Sequence, residues 1–290
     1  PKYRTASQRF TGILADFSPY LEPVSLDEAY LDATGFESIY GSIRQMVLNI
    51  KQRIKDEIGL CASVGIASCK VVAKVASELS KPDGLLEIAP GNERSFLAPL
   101  PITKLPGIGR RSEQILNSLG VHTIGQLATL PPDMLRHHFG IAGELMHRYA
   151  NGIDDREVEP PAATKSISRE TTFGADTKDL SLLKATLSYL SERVGSELRQ
   201  QEKQAKCITL KLRYADFTTI TRRCTLTQAN NTDQTIFNTG LQLLERALSQ
   251  QKQAIRLIGI GVSSLVEPGR QLDMLDASAQ RLEQLNRAID

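Results

Sequence analysis

The chain has 290 residues with 41% hydrophobic content, enough to bury more than one core, and its length is that of two or three domains rather than one. No stretch reaches the roughly 18 unbroken apolar residues of a membrane span, and the opening PKYRTASQRF lacks the apolar run of a signal peptide, so a soluble, cytoplasmic protein is expected. The formal charge of +2 is close to neutral, and Cys61, Cys69, Cys207 and Cys224 form no CxxC pair, which argues against a zinc site or a disulfide framework.

From Lys2 to Phe17, the residues Phe10, Ile13, Leu14 and Phe17 recur at helical spacing, and Ser18-Pro19 stops the helix. The next segment, YLEPVSLDEAYLDATGF, shows two short apolar runs around Ser25 to Glu28 and reads as a β-hairpin ended by Thr34-Gly35. Inside it, SLDEAYLD sets Asp27 beside Glu28. Neighbours on a regular strand leave opposite faces. A turn at Ser25 to Glu28 breaks the pleat and lets both carboxylates aim at one spot, as hard divalent ions such as magnesium require of their oxygen donors. Taken alone, an Asp-Glu pair in a turn is also what solvated surface looks like.

Ile39 to Ile58 repeats Ile43, Met46, Val47, Ile50 and Ile54, an amphipathic helix closed by Gly59. Leu60 to Ala67 reads as a buried strand, Ser68 as an N-cap, Cys69 to Leu79 as a helix, Pro82-Asp83-Gly84 as a turn and Leu85 to Ile88 as a strand. Strands alternating with helices imply an α/β layer. Lys70 and Lys74 share a helix face and read as ordinary surface lysines. Lys81 stands where the helix gives way to the turn, a fixed place from which an ammonium can meet a triphosphate.

Asn92 to Gly152 holds short helical segments parted by Pro and Gly, a small all-helical domain. In LPGIGRRSEQILNSLG, the turn Gly107-Ile108-Gly109 leads into a helix from about Arg110. Glycines let backbone amides approach a ligand closely, and a helix N-terminus offers free N–H groups to a phosphate, the device of a helix-hairpin-helix element. HHFGIAGELMHRYANG repeats the pattern more weakly, and His137, His138 and His147 read as structural or surface residues.

NGIDDREVEPPAA, Asn151 to Ala163, reads as a linker. After it come a strand (Lys165 to Phe173), a helix (Leu180 to Gln204), two strands (Lys206 to Tyr214, Thr218 to Thr227), a helix (Thr232 to Leu248) and a strand (Ile255 to Leu265). That β-α-β-β-α-β order is an α+β unit with one face of a four-stranded sheet free. Ala163 to Pro268 carries 15 Lys and Arg against 10 Asp and Glu. AKCITLKLRYADFTTITRRCTLT, which includes Arg222, holds five of those cations and one acid on the strand pair, a pattern that suggests a polyanionic partner.

SLDEAYLD, SVGIASCKVVAKVASELSKPDG, LPITKLPGIGRRSEQILNSLGVHTIGQLA and KSISRETTF occur in the order and near the spacing of the Y-family translesion DNA polymerases, which the chain resembles over essentially its whole length. The resemblance implies a multidomain α+β protein: a partial palm (1–91), a helical thumb (92–152), a linker (153–163), a little finger (164–268) and a clamp-binding tail (269–290). It implies template-directed nucleotidyl transfer to a primer 3′-hydroxyl, with Asp27 and Glu28 as catalytic carboxylates and ligands of two Mg2+ ions. Lys81 is implied to touch the phosphates of a deoxynucleoside triphosphate. Gly107, Ile108, Gly109 and Arg110 on the thumb, with Ser168, Arg169, Arg222 and Arg256 on the little finger, are expected to hold primer-template DNA. Asp32 belongs to the same pattern and is given a structural role. QLDMLD resembles a sliding-clamp peptide, with Gln271, Leu272, Met274 and Leu275 as its contacts. The chain is expected to act as a monomer. The family's first metal-binding aspartate, aromatic gate and fingers are not found after Pro1, so the chain as printed is expected to lack one metal ligand and to extend a primer poorly alone. A second reading is a DNA- and clamp-binding protein without catalysis.

Overall fold

The computed structural model describes residues 2–161, 163–251 and 253–267, which divide after Ala162 into two units, Pro1–Ala162 and Ala163–Asp290. The expected clamp contacts Gln271, Leu272, Met274 and Leu275 lie outside the described residues. Among the described residues no helix is long and apolar enough to cross a membrane.

The first unit opens with α1 (Lys2–Ala15), whose Ile13 and Leu14 pack with Phe17 onto Met46, Ile50 and Ile54 of α3 (Ile43–Ile58). Between them lies a hairpin of two three-residue strands, β1 (Leu21–Pro23) and β2 (Ala29–Leu31), paired Leu21 to Leu31, Glu22 to Tyr30 and Pro23 to Ala29. The single helix expected over Ile39 to Ile58 is divided. α2 (Glu37–Tyr40) ends at Gly41, which takes a left-handed φ of 80°, and α3 starts afresh from Ser42, whose side chain accepts from the Gln45 N–H.

A parallel pair follows, β3 (Val64–Ile66) and β4 (Leu85–Glu87), joined through α4 (Lys70–Leu79) as a βαβ crossover. α4 also belongs to what comes next. Its Val71, Val72, Val75 and Ala76 are buried in one core with Leu97 of α5 (Glu93–Leu97), Leu116 of α6 (Arg110–Ser118) and the residues of three further helices. These are α7 (Ile124–Thr129), α8 (Pro132–Phe139) and α9 (Ile141–Ala150); a Thr123/Gln126 capping box starts α7, and Pro132 opens α8. The parallel pair and the small helices are therefore packed together through one helix.

The second unit is a four-stranded antiparallel sheet in the order β5-β8-β6-β7, made of β5 (Ser166–Thr177), β6 (Gln204–Tyr214), β7 (Thr219–Asn230) and β8 (Ile255–Val266). Helices α10 (Leu180–Gln200) and α11 (Asp233–Gln250) cover one face. Ile208, Leu210 and Leu212 of β6 meet Val262, Ile260 and Ile258 of β8 on that face, while Thr209, Lys211 and Arg213 alternate onto the other.

Tyr214, fully buried at the end of β6, has a hydroxyl with no hydrogen-bond partner among the described residues. A buried donor left unpaired costs free energy, so Tyr214→Phe is expected to leave stability unchanged or to raise it by about 1 kcal/mol. Urea unfolding measures this, and a loss of about 1 kcal/mol or more would instead show that the hydroxyl is satisfied.

Candidate active site and nucleic-acid interface

The turn of the first hairpin occupies Ser25 to Glu28. Pro23 ends β1, and the N–H groups of Val24 and Ser25 both donate to the Glu28 carbonyl, at 2.8 and 3.2 Å. The Ser25 hydroxyl donates to Asp27 Oδ1 at 2.7 Å and accepts from the Asp27 N–H at 3.3 Å, so this exposed carboxylate is oriented by its own turn. Glu28 is half-buried and ion-paired with Lys74 of α4. Asp32 closes the hairpin from behind: its N–H donates to the Tyr20 carbonyl at 3.0 Å, and its Oδ1 accepts from the Thr34 N–H at 2.9 Å.

Lys81 pairs with Glu78 at 2.6 Å. Its ammonium is held above the ordinary lysine value, first by the hydrogen bond and charge of Glu78 and then by the charges of Glu28 and Asp27. Both members of the acidic pair thus act on one cation. An exposed and a half-buried carboxylate in one tight turn fit the hard-oxygen preference of magnesium as two of its ligands. Among the described residues no third His, Cys, Asp or Glu joins them in a group able to hold a metal ion.

Lys70, read from sequence as a surface lysine, is buried. It pairs with Glu22 of β1, donates to the Glu157 carbonyl at 2.8 Å and stands 5.2 Å from the Tyr30 ring centroid. The expected N-cap also moves. Cys69 occupies that position without a capping bond from its side chain, and Ser68 donates instead to Glu93. The free amide of Val71 in the first turn of α4 is satisfied from far along the chain, by Asp154 Oδ2 at 3.0 Å. The Asp154 side chain is 1% exposed and held by Arg156 through two bonds of 2.7 and 2.8 Å. Burial alone would raise the Asp154 carboxyl, but Arg156 and the Val71 N–H hold it below its ordinary value. Glu22 and Asp154 were invisible in the sequence because each takes its meaning from a partner distant in the chain, and Arg156 matters through Asp154.

The second candidate surface is the turn before α6. Gly107 has a φ of 93°, which strains any residue with a Cβ, and Gly109 is the N-cap of α6 with no side-chain cap. The first turn of α6 thus starts without a side-chain cap, beside exposed Lys104, Arg110 and Arg111, while Ile108 is half-buried against the core and anchors the turn. A second tight junction joins α8 to α9. Gly140 alone connects the helices, and a Cβ on Gly143 would stand 2.2 Å from the Leu135 carbonyl oxygen, so only glycine permits that approach. His137 and His138 are exposed and stack edge to face, and His147 lies by Asn151.

On the sheet of the second unit, the expected DNA-facing residues do not share a face. Ser168 pairs with Gly261 on the open face, next to Glu170, which pairs with Gly259 and binds Lys211 at 2.7 Å. Arg169 pairs instead with Ile260 of the helix-covered face, and its guanidinium holds Glu197 of α10. Arg222 pairs with Leu210, again the covered face, and donates to Gln250 at the end of α11. Register therefore sets Arg169 and Arg222, both expected to hold DNA, on the helix-covered side of the sheet. Arg223, one residue on, lies opposite Thr209 on the open face with Lys211 and Arg213. Arg256 is fixed by Asp176 at 2.9 Å and lies 4.2 Å from the Phe217 ring centroid. Gly259 and Gly261 leave the middle of the open face without side chains, and a Cβ on either would stand within 2.9 Å of Glu170 or Ser168.

Three family models match the chain: the impB/mucB/samB family over residues 1–78, the IMS family HHH motif over 90–121 and the impB/mucB/samB family C-terminal domain over 164–274. A protein of Dehalococcoides mccartyi named DNA polymerase IV is 49% identical over 288 residues, 99% of this chain and 74% of that protein. The DNA polymerase IV of Desulfatibacillum aliphaticivorans is 39% identical over 293 residues, 100% of this chain and 74% of that protein. Among solved structures, a Y-family DNA polymerase chimera of Dbh and Dpo4 superposes with a TM-score of 0.81 at 25% identity, covering 92% of this chain and 77% of that one.

Proposed function

Since the chain belongs to the Y-family of DNA polymerases, most like DNA polymerase IV, we propose that it takes part in translesion DNA synthesis, adding a deoxynucleotide to a primer 3′-hydroxyl at the turn that carries Asp27 and Glu28. The observation that carries this reading is the placement of both carboxylates in one turn.

Asp27 and Glu28 would hold magnesium, which supplies charge to the transferring phosphoryl group and acidifies the attacking hydroxyl. The chain's own residues prepare that place. Ser25 orients the Asp27 carboxylate, Lys74 holds Glu28 toward α4, and Lys81, paired with Glu78, would supply positive charge to the triphosphate. Because two carboxylates are too few for two ions, the reading requires a further oxygen ligand. Primer extension with one deoxynucleotide at a time tests the function: addition should follow the template base and require a divalent cation, and untemplated or cation-independent addition would refute it.

The turn Gly107-Ile108-Gly109 with Arg110, and the open sheet face, support primer-template DNA as partner, held by its phosphates. The motif from Gln271 to Asp276 supports a sliding clamp as protein partner. Replacing Arg213 and Arg223 together by alanine is expected to weaken duplex binding about tenfold at every sequence and to lower the slope of log K against log salt by about 2. Arg222→Ala, on the covered face, should leave affinity within about twofold. Fluorescence anisotropy across a salt series measures both, and an Arg222→Ala loss as large as that of Arg223→Ala would overturn the assignment of the face.

A further inference from the structure

β1 and β2 are three residues each, and a two-stranded hairpin of that length is marginal by itself. Its carboxylates can stay in place only if something outside the hairpin holds it. α4 does so at two points one helical turn apart: Lys74 grips Glu28 in the turn, and Lys70 grips Glu22 at the base.

The grip at the base has a third party. The segment 153–161, which leads toward the second unit, lies across the start of α4 and the edge of β1. Asp154 bonds the Val71 N–H, the Glu157 carbonyl accepts from Lys70, and the Glu159 N–H donates to Glu22 Oε2 at 2.9 Å. One carboxylate, that of Glu22, is therefore shared between α4 and the strap, and one buried ammonium, that of Lys70, between the hairpin and the strap. Burial alone would raise the Glu22 carboxyl, yet Lys70 and the Glu159 N–H together keep it below the ordinary glutamate value. Tyr30, opposite Glu22 in the register, closes the site under the ammonium.

We propose that Glu22 and Lys70 form a joint by which the strap at residues 154–159 sets the position of the Asp27-Glu28 turn, making both positioning residues for the chemistry assigned to that turn. The inference rests on the polymerase reading for its chemistry but not for its mechanics. Lys70 touches neither Asp27 nor Glu28. It acts through Glu22, and a loosened strap deprives Glu22 of one of its two partners. A buried ion pair stripped of one partner leaves an uncompensated charge, so damage on either side of the joint should open both segments.

Hydrogen–deuterium exchange on the whole chain tests this, comparing the parent with Lys70→Met and Glu22→Ala. Each substitution is expected to speed exchange of peptides spanning residues 20–32 and 153–161 together, by at least about tenfold, while peptides from α10 and α11 keep their rates. The double variant should exchange no faster than about twice either single one, because both remove the same joint. If Lys70→Met accelerates every peptide of the first unit, Glu22→Ala decides. Acceleration of the hairpin alone, of the strap alone or of neither overturns the joint. Mn2+ binding, followed by electron paramagnetic resonance with primer-template duplex present, supplies the link to the turn: affinity should fall about tenfold in both variants. Unchanged affinity beside coupled exchange would overturn the positioning role. Coupled exchange in a parent chain that binds no Mn2+ would leave the joint standing and remove the polymerase reading.

Discussion

Asp27→Ala is expected to lower nucleotide incorporation by at least about a thousandfold while leaving DNA affinity within about twofold, measured where the unsubstituted protein extends a primer. The magnitude follows from the metal-ligand role proposed for the carboxylate. A metal ion held at the reacting phosphate supplies several kcal/mol of charge stabilisation, and at about 1.4 kcal/mol per tenfold in rate, losing most of it costs about three orders of magnitude. Asp27 is exposed and bonds only within its own turn, so removing it should not unfold the hairpin. Asp27→Asn separates charge from orientation. The amide can still accept from Ser25 but no longer carries the charge, and the expected loss is as deep. Ser25→Ala keeps the charge and loses the orienting bond, with an expected loss of about three- to tenfold. If Asp27→Asn kept a tenth of the parent rate, the acidic turn would not be where the ions bind.

The largest expected effect on stability comes from a residue with no side chain. Gly65, the middle residue of β3, lies so close to α4 that a Cβ would meet the Ala73 carbonyl oxygen at 2.1 Å, the Ser77 nitrogen at 2.6 Å and the Ala76 Cβ at 2.8 Å. Two of those atoms are backbone and cannot swing away. Gly65→Ala must push strand and helix apart, opening the core that Val71, Val72 and Val75 fill, and a loss of about 3 kcal/mol or more is expected. Gly12, inside α1, is the control, because a Cβ there meets nothing within 4 Å. Gly12→Ala should stabilise by about 0.5–1 kcal/mol through helix propensity alone. Urea midpoints for the two variants should move in opposite directions. A Gly65→Ala chain as stable as its parent would mean that β3 and α4 are less closely packed than described.

Much of this was legible because it is local and periodic. Alternation of one apolar and one polar residue marked β6, the 3.6-residue repeat marked α3, α10 and α11, and the interrupted pattern around Ser25 placed the acidic turn. What failed was decided by single residues or by distant ones. Ile39 to Ile58 has an unbroken apolar repeat, yet Gly41 and the Ser42 cap divide it. Arg222 and Arg223 are equal in composition, but a period of two sends them to opposite faces, and only the register says which faces outward. Irregularities in β5 and at Arg256 of β8 shift the register near the strand ends, which no count of charges foresees. Lys70 looked like its neighbour Lys74 one turn away because the carboxylate and carbonyl that bury it come from β1 and from residue 157. A cap 83 residues from the amide it serves lies beyond any local pattern.

α4, shared between the parallel strand pair and the small helices that follow, has a mechanical consequence. Pulling it from either side would expose Val71, Val72 and Val75, each at about 1.5 kcal/mol or more, several times the thermal energy. The helix cannot act as a hinge. The acidic turn, gripped by Lys74, and the backbone amides before α6, built on the core that α4 anchors, are mounted on one stiff frame. On the proposed reading, a phosphate backbone seated at the second would meet the first at a spacing set by the core.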